Sequence, residues 1–447
     1  MSHFGTDEKK GRITRWLERS NVGVFSAYAI IAAFCTYFCM YAFRRPFAAA
    51  DFEGQVDLPW GGTISWKVML VVSQVLGYTI SKFAGIKVVS EMTPARRGLT
   101  LIGLIAVAEL ALLIFAFLPR PWAALALFMN GLPLGMVWGL VFSFLEGRKT
   151  TEALGAGLSA SYILASGAVK TVGALVLTWG VSEEWMPFVT GLLFFPPFVF
   201  FVWLLTLLPK PTAEDEALRT RREPMDKAAR RRFFRAFGPG LVALTGLYVF
   251  LTAYRSVRDD FAVNIWKELG FGGAPEIMTW SEVPVAFGVM VALGLLAKIR
   301  DNRHALAVVH GVMAGGAALI GLCTLLFQLG LIGPEIWMIS VGLGCYLAYV
   351  PFGSMLFDRL IAAAGWVATA GFMIYVTDAF GYVGSVAVTL FKDFGAKDLS
   401  WLEFFTLFSY FTSILCFACF VFAGVYLVRR TRSRTTEPSA GQASPPV

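Results

Sequence analysis

The sequence predicts an all-α polytopic membrane protein whose twelve transmembrane helices form two pseudo-symmetric six-helix bundles. Its 447 residues are 57% hydrophobic and only 15% charged, and the mean hydropathy is +0.66. A soluble chain of this size needs about a quarter of its residues charged. Twelve apolar runs are long enough to cross a hydrocarbon core of about 30 Å. These runs cover residues 23–46, 66–86, 99–118, 122–145, 158–181, 186–208, 238–258, 279–299, 304–328, 334–357, 366–391 and 401–428.

Lysine and arginine predict the orientation of these helices, because both are enriched in cytoplasmic connections. With the N-terminus inside, the inward-facing segments carry 27 of them. The outward connections carry four, which are Arg120, Lys267, Lys392 and Lys397. We therefore expect a protein of the bacterial inner membrane with both termini in the cytoplasm. The net charge of +8 belongs to loops that contact lipid headgroups, and it gives no support to nucleic-acid binding.

The longest polar interruption divides the helices six and six. Polar residues without a cleavable signal pattern precede the first apolar run, and the tail is rich in Ser, Thr and Pro, a composition typical of disorder. We expect a monomer. The predicted organisation is a cytoplasmic N-terminus at 1–22, an N-terminal bundle at 23–208, a cytoplasmic linker at 209–237, a C-terminal bundle at 238–428 and a disordered cytoplasmic tail at 429–447.

The two halves repeat one another at a nearly constant offset. The stretch at 43–48 reads FRRPFA and that at 257–262 reads VRDDFA, which aligns Arg44 with Arg258 at an offset of 214 residues. Three further pairs match at an offset of 211: Ser143 with Ser354, Gly173 with Gly384 and Thr178 with Thr389. Two like six-helix halves joined by a cytoplasmic loop are the arrangement of the major facilitator superfamily.

Three stretches carry a more specific resemblance. The first helix ends in YAFRRPFA (41–48), the second contains GYTISKF (77–83), and the seventh contains AYRSVRDDF (253–261). In these stretches the chain resembles the organophosphate:phosphate antiporters of that superfamily, the group of the glycerol-3-phosphate and hexose-phosphate transporters. The resemblance implies an exchanger of small organic anions with arginines of both halves in its binding site. The chain departs from the family pattern in the fifth helix, where the family carries a histidine and this sequence carries Lys170.

Four arginines are the candidate anion-binding residues: Arg44, Arg45, Arg255 and Arg258. The planar guanidinium holds phosphate or carboxylate with two hydrogen bonds and stays charged. In the second half the internal repeat favours Arg258, whereas the spacing of the resembling family favours Arg255. Residues three apart lie on one helical face, so both can face a cavity. In the alternative interpretation, Arg45 and Arg258 extend to the outer headgroups, and Asp259 and Asp260 are their partners.

Tyrosines and lysines accompany these arginines. Tyr41 and Tyr254 stand beside them in the sequence, and their hydroxyls can donate to an anion. Lys82 lies late in the second helix, where it either extends to the cytoplasm or, as the resemblance implies, binds substrate. Lys170 is in the middle of the fifth helix and too deep to reach water, so it needs a carboxylate or a water-filled cavity.

Three carboxylates are candidate partners for Lys170: Glu109, Glu146 and Asp378. We expect Asp378, because its helix is the symmetry mate of the fifth. A buried Asp378 or Glu109 can also bind and release protons. These two residues indicate a second candidate function, a proton-coupled symporter of a sugar, amino acid or similar solute.

Charged residues at the ends of the fourth and tenth helices are predicted to form a cytoplasmic gate. They are Glu146, with Arg148 and Lys149, and their counterparts Asp358 and Arg359. Pairs of opposite charge at such ends hold the inside of this type of carrier closed and separate as the halves rock.

Other classes of function lose support from the sequence. There is no Gly-x4-Gly-Lys-Ser/Thr loop for a nucleotide. All six cysteines fall inside predicted helices, so neither a disulfide nor a metal framework is indicated. We therefore expect no cofactor and no enzymatic activity. A drug efflux pump needs a mainly apolar cavity, which the paired arginines disfavour. The resemblance also leaves open a membrane sensor that binds a phosphate ester without transporting it.

Overall fold

Helices form most of the described chain in the computed structural model, which describes residues 11–434 except 60, 91, 149, 213–214, 216–226 and 366–370. The chain divides into two compact units, Met1–Thr220 and Arg221–Val447. The helices of the first unit are α1 (Arg12–Arg19), α2 (Val22–Met40), α3 (Trp66–Ser90), α4 (Pro94–Phe117), α5 (Ala123–Leu134), α6 (Val137–Phe142), α7 (Thr151–Thr178) and α8 (Met186–Thr206). The helices of the second unit are α9 (Lys227–Asp260), α10 (Ala262–Trp266), α11 (Ile277–Trp280), α12 (Glu282–Ala297), α13 (Asn302–Gln328), α14 (Pro334–Ser354), α15 (Leu356–Ala363), α16 (Gly371–Gly395) and α17 (Trp401–Arg434).

Eleven helical segments of the described chain are long and apolar enough to cross a membrane, and each coincides with a predicted span. Lipid-facing backbone must satisfy its own hydrogen bonds, and a helix does so. The predicted span 122–145 is divided between α5 and α6. The remaining predicted span, 366–391, begins in residues outside the described part, and its described portion belongs to α16. The chain is therefore a multi-pass, essentially all-α membrane protein.

Two helices extend into segments that were predicted to be a linker or a disordered tail. α9 begins at Lys227, inside the predicted linker, and α17 continues to Arg434, inside the predicted disordered tail. Both extensions are rich in basic residues, which are good helix formers although they are too polar for a membrane. Hydropathy thus marks the apolar part of each helix and not its hydrogen-bonded length. The predicted N-terminal segment up to residue 10, linker residues 216–226 and the tail from residue 435 lie outside the described residues.

The first transmembrane helix breaks before its predicted end. α2 stops at Met40, and two short 3-10 turns follow at Tyr41–Phe43 and Pro46–Ala49. The proline that opens the second turn has no N–H to donate to a continuing helix. The continuous helix predicted to residue 46 is therefore wrong at its end. The break leaves Arg44 and Arg45 in irregular backbone between the two turns.

Glycines bring α3 and α5 into backbone contact. A Cβ added at Gly77 would lie 2.1 Å from the carbonyl oxygen of Phe128, and one added at Gly131 would lie 2.3 Å from that of Gln74. Only glycine allows so close an approach of two backbones. As a result Gln74 on α3 and Asn130 on α5 lie within hydrogen-bonding distance of each other.

A short β-hairpin lies between α2 and α3. Its strands, β1 (Gln55–Asp57) and β2 (Thr63–Ser65), pair antiparallel. Gly61 and Gly62 in the connecting turn have φ angles of +94° and +84°, a region that suits glycine. This hairpin was not predicted, because strands of three residues are too short to show an alternating pattern.

Candidate functional site

The buried charges of the first unit are mostly positive. Among its described residues, five cations and one carboxylate are buried. They are Arg44, Arg45, Lys67, Lys82, Lys170 and Glu109. The described part of the second unit is closer to balance, with four buried cations and three buried carboxylates. These are Arg255, Arg258, Arg359, Lys392, Asp259, Asp260 and Glu282. Ionisable residues in membrane helices are expensive to bury, so an excess of one sign indicates a function.

Arg44 and Lys82 both lie over the ring of Tyr78. The guanidinium carbon of Arg44 is 4.0 Å from the centroid of Tyr78 and 5.9 Å from that of Tyr41. The Nζ atom of Lys82 is 5.4 Å from the centroid of Tyr78 and 6.0 Å from that of Trp138. The negative ring faces stabilise these cations without neutralising them. The structure therefore brings Arg44, Tyr41 and Lys82 together in one basic and aromatic cluster, which we call the Tyr78 cluster.

Two buried amide side chains hold the break that carries Arg44. The Nε2 atom of Gln74 donates to the carbonyl oxygen of Arg44 at 2.9 Å and to Oδ1 of Asn130 at 2.8 Å. The Nδ2 atom of Asn130 donates to the carbonyl oxygens of Phe43 at 3.0 Å and Ala108 at 2.9 Å. A helix that ends inside the protein leaves carbonyl groups that need such donors. Gln74 and Asn130 therefore position Arg44.

Replacing Asn130 with leucine is expected to lower the melting temperature and to weaken any binding that uses Arg44. The change leaves buried polar groups without partners, and each costs about 1–3 kcal/mol. Differential scanning fluorimetry of the purified protein measures the effect. Ser161→Ala is the matched control, because its buried hydroxyl bonds only within its own helix. Equal melting temperatures for the two variants would contradict this role of Asn130.

Lys170 lies on the face of α7 that meets the break. Gly173, one turn later, packs so closely that a Cβ there would lie 3.3 Å from the carbonyl oxygen of Pro46 and 3.1 Å from Cβ of Ala49. Residues three apart share a helical face, and Lys170 is only 2% exposed. Its predicted pairing with Asp378, which belongs to the second unit, stays a prediction.

Arg258 forms a buried ion pair with a residue that the sequence analysis did not consider. Its Nη1 atom is 2.7 Å from Oε1 of Glu282 at the start of α12, and its Nη2 atom donates to the carbonyl oxygen of Met338 on α14 at 3.1 Å. A Cβ at Gly342 would lie 2.5 Å from Nη2, so glycine makes room for the guanidinium. Arg258 thus joins three helices of its unit and does not extend to headgroups.

Arg255, one turn earlier on α9, belongs to a cluster of tyrosines. Its guanidinium carbon is 4.6 Å from the ring centroid of Tyr349, and its Nη2 atom is 3.5 Å from the hydroxyl of Tyr382. Tyr248 stacks on Tyr349 with centroids 5.1 Å apart and donates to Oδ1 of Asp378 at 2.6 Å. The structure therefore brings Arg255 and Asp378 into one cluster, built from α9, α14 and α16, which we call the Arg255 cluster.

Tyr254 packs away from this cluster. Its hydroxyl is 2.8 Å from Oγ of Ser409, and its ring stacks on Phe405 with centroids 4.9 Å apart. Both neighbours are on α17, so Tyr254 joins α9 to α17. Nothing in these contacts supports the predicted role of Tyr254 beside an anion.

The predicted gate residues make contacts inside their own units. Glu146 follows α6, and its charge acts on Arg97, whose Nη1 atom donates to the carbonyl oxygen of Ser143 at 2.9 Å. Arg359 donates to Oδ1 of Asn302 at 2.8 Å. Asp358 is half-buried on α15. Lys149 lies outside the described residues.

Arg148, predicted to belong to the same gate, fixes the end of the first unit. Its Nη2 atom donates to the carbonyl oxygen of Pro209, and its guanidinium carbon is 4.7 Å from the ring centroid of Phe25. Burial lowers the pKa of Arg148, and the charge of Asp215 opposes that shift.

Two of the site residues that were not predicted do carry a recognisable signal in the sequence. Tyr78 is four residues before Lys82, a spacing that places both on one helical face. Glu282 is an ionisable residue inside a membrane span, which by itself marks a residue with a partner. Gln74 and Asn130 gave no such signal, because a single amide in an apolar run has no periodicity to interpret.

The fold and the family follow from comparison with known proteins. Among curated proteins, none matches the chain. A solved structure, described as the crystal structure of a D-xylose-proton symporter, matches with a TM-score of 0.57 over 91% of this chain and 97% of that chain, at 14% sequence identity. At this identity the likeness shows the fold alone, which is the major facilitator fold predicted from the sequence. Residues 46–430 match the profile of DUF5690, a family of unknown function, and the chain belongs to that family.

Proposed function

We propose that this protein is a secondary active transporter that moves a small organic anion, an organophosphate or a carboxylate, across the bacterial inner membrane by alternating access. The observation that carries the proposal is the excess of buried cations in the first unit, five against one carboxylate among its described residues. Such charges are retained in a membrane protein where they serve a substrate pathway. In this proposal an anionic solute binds beside these cations.

The contacts of Arg258 are of a different kind from those of Arg44 and Arg255. Arg258 has a carboxylate at 2.7 Å, which offsets its charge. Arg44 and Arg255 lie over tyrosine rings, and a guanidinium in such a position keeps its positive charge. We therefore assign anion binding to Arg44 and Arg255, with Lys82 and Tyr41 beside Arg44, and Arg45 and Lys170 adding positive charge. In this proposal Arg258 has a structural role.

The resemblance of YAFRRPFA, GYTISKF and AYRSVRDDF to the organophosphate:phosphate antiporters supports a phosphate ester over other anions. The ratio of 27 inward to four outward basic residues supports cytoplasmic termini. A monomer contains both clusters, so the proposal needs no partner subunit. A sensor that binds the same ester without carrying it would share these residues.

A proton-coupled symporter of a sugar, amino acid or similar solute is the second candidate. Asp378 accepts a hydrogen bond from Tyr248 beside Arg255, and such a carboxyl can exchange a proton. The structural neighbour is named for proton-coupled D-xylose transport. Under this alternative, the buried arginines would bind sugar hydroxyls or hold carboxylates rather than bind a substrate anion.

A thermal-shift screen separates the two candidates. A ligand at 100 times its Kd stabilises the folded state by about 2.7 kcal/mol. We expect glycerol 3-phosphate, glucose 6-phosphate or succinate to raise the melting temperature of the purified protein, whereas D-xylose leaves it unchanged. Stabilisation by D-xylose, with none of the anions active, would favour the symporter instead.

A further inference from the structure

Glu109 is a buried carboxyl that the proposed anion site does not use. It lies on α4 and is 8% exposed. Neither carboxyl oxygen has a hydrogen-bond partner within the described chain. From the sequence, Glu109 was a candidate partner of Lys170 and a candidate proton-binding residue.

The carboxyl of Glu109 is pressed against the backbone of α8. A Cβ added at Gly191 would lie 2.1 Å from Oε2 and 3.1 Å from Oε1 of Glu109. Only glycine fits beneath the carboxyl group. The hydroxyl of Thr190, the residue before this glycine, is also buried without a partner.

Within the described chain, the elements that pack most extensively against α4 carry no charged side chain. The main neighbours of α4 are α5, α6, α8 and the 3-10 turn Tyr41–Phe43. The three helices contain no ionisable residue, and the turn contains only Tyr41. On α4 itself the nearest cation is Arg97, about 18 Å away at 1.5 Å per residue. Asn130, the amide on α5, is committed to the carbonyl oxygens of Phe43 and Ala108.

An ionised carboxylate in this place would have neither water nor a counter-charge, which is strongly unfavourable. We propose that Glu109 is a proton-binding site of the first unit, protonated while α4 packs on Gly191. Release of the proton from the carboxyl oxygen to water leaves a carboxylate that must be hydrated, and hydration separates α4 from α8. Proton binding at Glu109 is thereby linked to the packing of these two helices. The inference does not depend on which solute the protein carries.

Carbodiimide labelling tests the protonation directly. Dicyclohexylcarbodiimide adds to a protonated carboxyl in apolar surroundings and forms a stable acylurea, which mass spectrometry of the peptides detects. We expect Glu109 to be modified at pH 6, with the modified fraction falling as the pH rises to 9. The exposed residues Glu53 and Glu184 serve as internal controls and should stay unmodified.

Melting temperature as a function of pH provides the second measurement. Proton release disfavours the packed state, so the wild-type melting temperature should fall relative to that of Glu109→Gln between pH 6 and pH 9. Glutamine keeps the shape and cannot release the proton. Absence of modification at Glu109 at every pH, or melting temperatures of the two proteins that change in parallel, would overturn the proposal. The labelling arm uses the wild-type protein and does not depend on the folding of the variant.

Discussion

Replacing Arg258 with methionine is expected to lower the free energy of unfolding by about 3–5 kcal/mol, because it leaves a buried carboxylate without its counter-charge. Glu282, 2.7 Å from Arg258, would then stay buried without the positive charge of this arginine. Glu282→Leu should destabilise to a similar degree. The double variant Arg258→Met/Glu282→Leu is expected to recover most of the loss, since apolar residues of similar volume replace a buried ion pair at little cost.

A double-mutant cycle in thermal unfolding measures this coupling. If the loss of unfolding free energy in the double variant equals the sum of the two single losses within about 0.5 kcal/mol, the residues are independent. The double variant also tests the assignment of roles. If Arg258 is structural, the double variant keeps the anion affinity of the wild-type protein. A loss of affinity in a stably folded double variant would show that Arg258 takes part in anion binding.

Arg44→Ala is expected to weaken binding of a phosphate ester by at least tenfold. A hydrogen bond to a charged group contributes about 1.5–3 kcal/mol, and a guanidinium can form two with one phosphate. Arg44→Lys keeps the charge but loses the second hydrogen bond, so we expect an intermediate affinity. Arg255→Lys should behave in the same way. Isothermal titration calorimetry with glycerol 3-phosphate or glucose 6-phosphate, chosen by the thermal-shift screen, measures these affinities.

Arg120→Lys is the matched control for this series, because Arg120 lies in an exposed connection and donates to the carbonyl oxygen of Glu53. It should bind the ester as tightly as the wild-type protein. Wild-type affinity in both Arg44→Ala and Arg255→Lys would place the anion elsewhere.

The membrane-spanning architecture could be predicted because it is a property of composition. A run of about twenty apolar residues has few alternatives to a transmembrane helix. The break after Met40 could not be predicted in the same way. Pro46 is visible in the sequence, but membrane helices tolerate proline, so its presence alone does not end a helix. The carbonyl groups freed by the break are bound by Gln74 and Asn130.

The partner of Arg258 shows a second limit. Asp259 and Asp260 are adjacent in the sequence and were the partners of Arg258 in the alternative interpretation, yet consecutive residues on a helix do not face each other. The partner Glu282 lies on the next transmembrane helix, and only the packing of α9 against its neighbours brings it within 2.7 Å. The same packing gives Arg255 and Arg258 different contacts. The internal repeat does not predict this difference.

Exchange in proteoliposomes tests most directly the central claim that this chain carries an organic anion. Vesicles containing the purified protein are loaded with unlabelled glycerol 3-phosphate, glucose 6-phosphate or succinate and diluted into a trace of the same compound labelled with carbon-14. We predict transient accumulation of at least one labelled anion, its loss in Arg44→Ala, and no accumulation in vesicles without protein. Uptake of labelled D-xylose driven by an imposed pH gradient, with none of the three anions exchanged, would contradict the account.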